Sequence, residues 1–232
     1  MVCSRDAKIS PMKHLYIIRH GETYWNAEQR MQGRLDSPLN PRGLEQAERH
    51  AETLLRMGGV DYILSSPSGR TRETTAILNR RLRAPVDYDE ALMERDCGLW
   101  SGFTVAEIAE EYPQEWAERD VDPFHHRPPE GENLPDLIER VEPCLKALLQ
   151  LPYERIALVT HGIMSRAILT LLLPLAPPDA NRVRHPNDLF YRLRYENGRH
   201  SPEFFRAGEG PVAGLLQARP GETIPVTQTS SD

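Results

Sequence analysis

Two short apolar runs in this chain of 232 residues each lead into a histidine that is followed by glycine. The runs are Leu15–Ile18 and Ile156–Val159, and the histidines are His20 and His161. Apolar runs of this length, bounded by polar and turn-forming residues, indicate strands buried on both faces of a parallel sheet. Because the carboxyl ends of parallel strands meet at one edge, where ligands of such sheets bind, we expect both histidines at one site.

Helix signals lie between the predicted strands. Asn40-Pro41 is typical of an N-cap followed by proline in the first helical turn, and Ser65-Ser66-Pro67 starts a second helix after the strand Val60–Leu64. Strands that alternate with helices favour a mainly parallel sheet covered on both faces. The sequence therefore predicts an α/β three-layer sandwich, with a mainly parallel central sheet flanked by helices.

We expect one domain over residues 1–206, with residues 1–13 as a loose leader. Within it, a lid is expected at about 103–133, where two short helices precede a loop rich in Pro, His and Glu. Residues 174–186 are expected to be a connector interrupted by prolines, and residues 189–205 a hairpin around Asn197-Gly198. Residues 207–232 lose the apolar pattern and are expected to be a mobile tail.

The charge of the chain argues against nucleic acid as a partner. The formal net charge is −6, and the lysines and arginines are dispersed rather than gathered into a basic stripe. The cysteines are widely spaced, without the pattern of a disulfide scaffold or a zinc site. No apolar run at the N-terminus reaches the length of a signal peptide core or a membrane span. We therefore expect a cytoplasmic protein, with neither nucleic acid nor a membrane as a partner.

His20 is the candidate nucleophile. A histidine that attacks phosphorus needs a neutral nitrogen with a free lone pair, and neighbouring cations disfavour the imidazolium form. Arg19 supplies such a cation and can also bind a phosphate oxygen, while Thr23 offers a hydroxyl or amide donor. The alternative is a histidine at a strand end beside a solvated arginine, because a short motif alone is weak support for a site.

Two further segments are expected at the same edge of the sheet. His161 and Gly162 stand between a strand and a helix, and a helix N-terminus offers free N–H groups to a phosphate. His161 can donate a hydrogen bond to a phosphoryl oxygen, or it can be a buried histidine beneath a loop. Arg70 follows the second strand and can direct its guanidinium into the same cleft, whereas Arg72 is expected to pair with a surface carboxylate.

Glu94 is the candidate proton donor. An alkoxide leaving group needs a proton near neutral pH, and a carboxyl kept protonated by an apolar, desolvated setting can supply it. Glu94 follows Leu92 and Met93 and precedes Trp100, so we expect such a setting. The alternative is a surface ion pair with Arg95.

Together these motifs resemble the histidine phosphatase superfamily, also called phosphoglycerate mutase-like, in its branch with the Arg-His-Gly-Glu signature. The resemblance covers roughly residues 14–195, and the long ordered series of motifs makes it highly specific. The matching residues are Arg19 to Thr23, Asn26, Gln32, Gly33, Asp36 to Leu39, Gly43, Gln46, Ala47, Ser65 to Pro67, Arg70, Thr74, Glu94, Gly98, Trp100, Pro129 to Glu132, and Thr160 to Gly162.

The resemblance implies a phosphoglycerate mutase-like fold and a role for each matching residue. It makes His20 the phosphorylated nucleophile and Glu94 the general acid and base, and it implies no metal and no other cofactor. The residues implied to catalyse the reaction or bind the phosphoryl group are Arg19, His20, Thr23, Asn26, Gln32, Gly33, Arg70, Glu94, His161 and Gly162. Glu73 and Asn133 depart from the commonest family pattern and leave the substrate open.

The family resemblance favours a phosphatase, a phosphoric monoester hydrolase of the histidine acid phosphatase type. The first alternative is a cofactor-dependent phosphoglycerate mutase, which must keep water away from the phosphoenzyme. Such mutases share a tyrosine-glycine step and a longer insert after the acid, whereas Arg95 to Gly102 lacks the tyrosine and the lid is compact. The second alternative is a non-catalytic phospholigand-binding module, which would have lost one of the site residues.

The organic part of the substrate is expected to contact the lid. Arg127 or a lid histidine would suit a carboxylate or a second phosphate on a small phosphorylated metabolite. For the aromatic lid residues the alternative is helix packing, and for the exposed hairpin near Phe190 a homodimer is a further expectation. The candidate lid contacts are Phe103, Trp116, Phe124, His125, His126 and Arg127.

Overall fold

The structure, a computed structural model, describes residues 14–196 and 198–219 of the chain. Its strands are β1 (His14–Arg19), β2 (Tyr62–Ser65), β3 (Val86–Tyr88), β4 (Arg155–Thr160), β5 (Leu189–Glu196), β6 (Arg199–Arg206) and β7 (Glu209–Ala213). Its helices are α1 (Tyr24–Ala27), α2 (Pro41–Arg56), α3 (Gly69–Leu82), α4 (Val105–Glu111), α5 (Pro113–Val121), α6 (Leu134–Leu148), α7 (Gly162–Leu172) and α8 (Pro177–Arg182). None of the helices in the described ranges has the length and apolar character that crossing a membrane requires.

The strands form one mixed sheet of seven strands in the order β3-β2-β4-β1-β5-β6-β7. Strands β1 to β4 are parallel, whereas β5, β6 and β7 pair in antiparallel fashion. The central strand β1 lies between β4 and β5, with Ile18 opposite Val159 on one side and Phe190 on the other. The carboxyl ends of β1, β2 and β4 therefore meet at one edge, and the start of β5 lies at that same edge.

Alternate side chains of β1 enter two separate hydrophobic cores. Leu15 and Ile17 pack in a core with residues of α6 and α7, and Tyr16 and Ile18 pack in a core with residues of α2 and α3. A strand buried on both faces needs helices on both sides of the sheet. The predicted α/β sandwich of three layers is confirmed.

Close packing of two glycines positions the loop after β1. A Cβ atom at Gly21 would lie 2.3 Å from the carbonyl oxygen of Gly43, and one at Gly43 would lie 2.1 Å from that of Glu22. The side chain of Asn40 accepts a hydrogen bond from the N–H of Gly43 (2.8 Å) and donates one to Glu22 (2.9 Å). The predicted N-cap of α2 therefore also fixes the loop that carries His20.

The C-terminal part of the fold extends further than the sequence predicts. Strand β7 pairs with β6 in the range that was expected to be tail, and Ala218 is buried. Every residue of β7 is exposed, because β7 is the edge strand, so it lacks the apolar alternation that predicts a strand. The rest of the expected tail, 220–232, and the expected leader, 1–13, lie outside the described residues.

The predicted hairpin is present as β5 and β6, but it does not offer an edge for a dimer. Strand β5 is paired on both sides, and Phe190 is buried between β1 and β6. Strand pairing near Phe190 is therefore already complete within the chain, and the homodimer itself stays a prediction. The predicted connector also contains the helix α8, whose six residues begin with two prolines and carry little apolar periodicity.

Candidate active site

A narrow cleft lies at the carboxyl edge of the parallel strands, where the sequence places it. The end of β1 and the loop after it, the start of α3, the segment before α4 and the start of α7 contribute its walls. Among the residues that the structure describes, no group of three or more histidine, cysteine or acidic side chains is arranged to hold a metal ion. The predicted site residues that line the cleft are Arg19, His20, Asn26, Gln32, Gly33, Arg70 and Glu94.

The hydrogen bonds of His20 identify its free nitrogen. Its Nδ1 atom lies 2.8 Å from the carbonyl oxygen of Gly21. A carbonyl oxygen only accepts, so Nδ1 carries the proton and Nε2 keeps its lone pair. The backbone of His20 is also fixed, because its N–H donates to Thr160 (3.0 Å) and its carbonyl accepts from the side chain of Asn187 (2.8 Å). The imidazole is therefore positioned as a nucleophile through Nε2.

Burial and two arginines keep His20 neutral. The side chain is buried, and this desolvation, followed by the positive charges of Arg70 and Arg19, lowers the pKa of His20 well below its usual value. The hydrogen bond to the Gly21 carbonyl acts in the opposite direction but does not reverse the shift. At neutral pH the nitrogen lone pair is available, as the sequence predicts.

Arg70 is held by the segment that precedes α2. Its Nη1 atom donates to the carbonyl oxygen of Leu35 (2.7 Å) and to Asp36 (2.9 Å), and its Nη2 atom donates to the carbonyl oxygen of Gly33 (2.9 Å). The Nε atom is buried and has no hydrogen-bond partner among the described residues. Arg70 therefore presents a fixed charge and a free donor beside His20, which suits an incoming phosphoryl oxygen.

Arg19 is anchored from the other side of the cleft. Its Nη1 atom donates to the carbonyl oxygen of His185 (2.8 Å), and burial lowers the pKa of Arg19 to about 10, so it remains a cation at neutral pH. Gly162 packs beside it, and a Cβ atom there would lie 3.4 Å from the guanidinium carbon. The two arginines give the cleft a positive field that favours a phosphate dianion.

Glu94 lies in a polar setting, so the expectation of an apolar one is wrong. Its carboxylate accepts hydrogen bonds from the backbone N–H groups of Arg95 (2.9 Å), Met164 (3.0 Å) and Ile163 (3.2 Å). Two of these donors are the free N–H groups of the first turn of α7, which the sequence analysis assigned to phosphate. The helix N-terminus at Gly162 therefore positions Glu94 at the cleft, and Arg95 makes no ion pair with it.

His161 adjoins His20 inside the protein. The centroids of the two rings lie 5.3 Å apart, and the Nε2 atom of His161 lies 2.8 Å from the hydroxyl oxygen of Ser66. Its Nδ1 atom is buried and has no hydrogen-bond partner within the described ranges. Burial, followed by the charge of Arg70, lowers the pKa of His161 well below its usual value. A neutral imidazole that accepts from Ser66 carries its proton on Nδ1 and can donate it.

Thr23 supports the cleft rather than lining it. Its backbone N–H donates to the side-chain oxygen of Asn26 (3.1 Å), and its hydroxyl accepts from Gln32 (2.8 Å). The side chain is fully buried as the N-cap of α1. We therefore assign Thr23 to positioning Asn26 and Gln32, not to the direct phosphate contact that the sequence suggested.

Ser66→Ala tests whether the serine hydroxyl orients His161. We expect kcat to fall about tenfold, because loss of one neutral hydrogen bond costs on the order of 1 kcal/mol and the imidazole is no longer held. Steady-state kinetics measure the change. Ser68→Ala is the matched control, since the Ser68 hydroxyl lies 3.4 Å from that of Ser66 and the hydrogen bond to His161 comes from Ser66. Equal losses in both variants would contradict the role of Ser66.

The residues before β5 were missed by the sequence analysis. Asn187 fixes the backbone of His20, and the carbonyl oxygen of His185 fixes Arg19. Both fall in or next to the predicted connector, because the sequence carried no sign that β5 runs antiparallel to β1 and begins at the site. The usable signal was the group of polar residues His185, Asn187 and Asp188, placed directly before an apolar run.

The candidate lid residues either form ion pairs or pack in hydrophobic clusters. Arg127 forms an ion pair with Asp136 (2.7 Å), so its charge is already balanced, and His125 pairs with Asp122 (2.8 Å). Phe103, Trp116 and Phe124 pack in hydrophobic clusters, so helix packing accounts for them. Outside the lid, the guanidinium of Arg72 donates to the carbonyl oxygen of Pro67 and lies 4.0 Å from the ring centre of Tyr88. No carboxylate of the described residues pairs with Arg72, in contrast to the expectation.

Comparisons with known proteins identify the family of this chain. The family profile of the histidine phosphatase superfamily (branch 1) matches residues 15–207. The probable phosphoglycerate mutase GpmB of Salmonella arizonae is 35% identical over 187 residues, which are 80% of this chain and 86% of that protein. The protein of the same name from Proteus mirabilis is 35% identical over 188 residues, with the same coverage.

Solved structures of phosphatases are also similar to this chain. A mycobacterial glucosyl-3-phosphoglycerate phosphatase, solved in complex with VO3, has a TM-score of 0.75 and 29% identity, covering 84% of this chain and 99% of that chain. A putative α-ribazole-5′-P phosphatase from Escherichia coli has a TM-score of 0.77, 23% identity and coverage of 86% and 98%, and it supports the fold alone. With the ordered motifs and the cleft described above, these matches show that the chain belongs to branch 1 of the histidine phosphatase superfamily.

Proposed function

We propose that this protein is a phosphatase that hydrolyses phosphomonoesters of small metabolites through a phosphohistidine intermediate on His20. The observation that carries the proposal is the hydrogen bond from Nδ1 of His20 to the Gly21 carbonyl, which leaves the lone pair of Nε2 free. The cations of Arg19 and Arg70 line the same cleft. The reaction uses side chains alone, without a metal or another cofactor.

In the first step, Nε2 of His20 attacks phosphorus in line with the ester oxygen. The new N–P bond forms as the P–O bond to the alcohol breaks, and the carboxyl group of Glu94 gives its proton to the departing oxygen. Arg19 and Arg70 balance the charge on the phosphoryl oxygens, and His161 donates from Nδ1. Because the donors are already fixed by the protein, little reorganisation accompanies the step.

In the second step, water replaces the alcohol. Glu94, now a carboxylate, takes a proton from the water as its oxygen attacks phosphorus, and the N–P bond breaks. Inorganic phosphate leaves, His20 regains its lone pair, and Glu94 regains its proton. One group thus acts as acid and then as base, which requires that both the ester oxygen and the water reach the same carboxylate.

The comparisons support a phosphoryl-transfer enzyme. The names of the relatives differ over whether water or a phosphoglycerate accepts the phosphoryl group from the enzyme. The relatives at 35% identity are named probable phosphoglycerate mutases, whereas the mycobacterial structure at 29% identity is named a phosphatase. We favour water as the acceptor, because the segment from Arg95 to Gly102 lacks the tyrosine expected of a mutase and the lid is compact. The mutase is the second candidate, supported by the names of those relatives.

The proposed location is the cytoplasm. Cys97 and Cys144 are free thiols in the structure. A reducing compartment keeps thiols in that state, so the free thiols are compatible with the cytoplasm.

The phosphatase and the mutase are distinguished by the fate of the phosphoryl group. We expect excess EDTA to leave phosphate release unchanged over a panel of 3-phosphoglycerate, sugar phosphates and an aryl phosphate. We also expect release from 3-phosphoglycerate to exceed its conversion to 2-phosphoglycerate by at least about tenfold, because water reaches the phosphoenzyme. Colorimetric phosphate and a coupled assay of 2-phosphoglycerate measure the two rates. Isomerisation faster than release would establish the mutase, and loss of release in EDTA would overturn the metal-independent mechanism.

A further inference from the structure

The end of the lid packs against the chain that follows Glu94, and the proposed reaction gives this contact no role. A Cβ atom at Gly131 would lie 2.7 Å from the carbonyl oxygen of Asp96, closer than side chains approach. The N–H of Glu132 donates to that same oxygen (2.9 Å), and the Glu132 carboxylate accepts from the N–H of Asp96 (2.9 Å). The contact therefore fixes the chain two residues after Glu94.

The carboxylate of Glu132 also binds an arginine of α6 in two places. Its Oε1 atom accepts from Nε of Arg140 and its Oε2 atom accepts from Nη2 of Arg140, both at 3.1 Å. Two parallel hydrogen bonds between a guanidinium and a carboxylate fix the orientation of both groups. The side chains of Glu132 and Arg140 are only 18% and 20% exposed, so water screens this ion pair little. Glu132 thus determines where the Arg140 guanidinium points.

The Arg140 guanidinium binds the backbone that carries Glu94. Its Nη1 atom donates to the carbonyl oxygens of Ala91 (3.0 Å) and Met93 (3.2 Å), and its Nη2 atom donates to those of Met93 (3.1 Å) and Glu94 (3.4 Å). These carbonyls lie in and directly after a single turn of 3₁₀ helix, Glu90–Leu92. Carbonyls at the end of a helical turn lack partners within that turn, and an arginine can supply the donors.

Glu94 is therefore fixed at both its side chain and its main chain. The first turn of α7 donates to the carboxylate from the N–H groups of Ile163 and Met164, and Arg140 of α6 donates to the main chain. A general acid must lie within hydrogen-bond reach of the oxygen that it protonates. A displacement of about 1 Å can cost a factor of about 10² in rate, so the position of this backbone affects the chemistry.

We propose that Glu132 and Arg140 are positioning residues, which hold Glu94 where it transfers protons to the leaving oxygen and from the attacking water. This proposal rests on the proposed function, in which Glu94 is the general acid and base. Glu94 lines the cleft, whereas Glu132 and Arg140 are not among the described residues that line it. The pair therefore acts through Glu94 and not by contact with the substrate.

Arg140→Lys tests the positioning role and keeps the positive charge beside Glu132. A single ammonium group cannot donate to both oxygens of Glu132 and to the backbone carbonyls at Glu94 as the planar guanidinium does. We expect kcat for alkyl phosphates to fall about 10²-fold, because the proton donor is displaced from the leaving oxygen. KM and inhibition by inorganic phosphate are expected to stay unchanged, because Arg19 and Arg70 keep their own partners.

Two further measurements distinguish positioning from general damage to the site. The first step with p-nitrophenyl phosphate, followed by rapid mixing, is expected to keep its wild-type rate, because nitrophenolate leaves without a proton. In the Glu94→Gln background, Arg140→Lys is expected to lower kcat less than about twofold, because the carboxylate that it positions is absent. Damage to the fold or to the phosphate contacts would slow the first step with both ester classes and would add in full to the effect of Glu94→Gln.

Arg155→Lys is the matched control. Arg155 also binds a carboxylate, that of Asp61 (2.7 Å), and a backbone carbonyl, that of Gly58, but it lies at the start of β4, whereas the cleft lies at the end of that strand. This variant is expected to keep wild-type kinetics with both ester classes. A loss in Arg155→Lys equal to that in Arg140→Lys would contradict a role specific to Arg140.

Glu132→Gln breaks the same ion pair from its other side and is expected to reproduce the selective loss with alkyl phosphates. Thermal melting verifies that each variant is folded, and Glu132→Gln decides the question if Arg140→Lys does not fold. Wild-type kcat, equal losses for the two ester classes, or full additivity with Glu94→Gln would overturn the proposal.

Failure of the proposed function has a different signature, since the wild type would then release phosphate from no compound of the panel. In that case amide hydrogen exchange measures the position of Glu94 directly. The N–H groups of Ile163 and Met164 are expected to exchange about tenfold faster in Arg140→Lys than in wild type, because Glu94 no longer accepts from them. Unchanged exchange at both amides would reject the positioning role.

Discussion

His20→Ala is expected to lower phosphate release at least about 10⁴-fold, the loss that follows removal of a nucleophile in enzymes with covalent intermediates. The variant keeps the cations of Arg19 and Arg70, so substrate can still bind, but no atom in the cleft replaces Nε2. The expected change is therefore in kcat, with KM of the residual reaction little affected. The effect is the largest expected here, because the remaining groups only stabilise charge or transfer protons.

Detection of the phosphohistidine intermediate measures directly the attack of His20 on phosphorus. Wild-type protein quenched in alkali during turnover of a ³²P-labelled ester is expected to carry label that is stable in base and labile in acid, as a phosphohistidine is. His20→Ala is expected to carry none. His200→Ala is the matched control, because His200 lies on β6 opposite Tyr195, at the far end of the sheet from the cleft. Label retained by His20→Ala would assign the nucleophile to another residue.

The parts of the site that the sequence predicted are those fixed by strand order. His20 and His161 directly follow β1 and β4, and a parallel pairing brings them together whatever the rest of the chain does. Arg70 follows β2 in the same way, which places it at the same edge. Short apolar runs and turn residues carry this information locally, so the fold class and the core of the cleft could be derived before the structure.

The parts that could not be predicted depend on contacts between distant segments. Glu94 accepts from Met164, which lies 70 residues later, so its flanking apolar residues gave the wrong setting. Asn187 contacts His20 only because β5 is antiparallel to β1. The edge strand β7 is exposed throughout, and an exposed strand has no apolar pattern to detect. Local sequence therefore determined which residues reach the edge, and tertiary packing determined what each of them contacts there.

Glu94→Gln is expected to lower kcat for alkyl phosphates by about 10²- to 10⁴-fold, the range for loss of a general acid and base. The amide cannot supply the proton that an alkoxide needs as it departs. p-Nitrophenol leaves readily without that proton, so the first step with p-nitrophenyl phosphate should be much less affected. The second step still lacks its base. Rapid-mixing kinetics are therefore expected to show a burst of nitrophenolate followed by slow turnover, with phosphoenzyme accumulating on His20.

The burst separates a chemical role of Glu94 from a structural one. The glutamine keeps one oxygen that can accept from Met164 or Ile163 at the start of α7, but the amide nitrogen in place of the other oxygen only donates and cannot accept from the second N–H group. Some loss of local order would lower the rates with both ester classes by the same factor and give no burst. Glu110→Gln, an exposed change on α4, controls for the charge and is expected to behave as wild type. Unequal losses for the two ester classes thus identify Glu94 as the group that transfers the proton, and equal losses would leave Glu94 only the structural role of accepting hydrogen bonds from the start of α7.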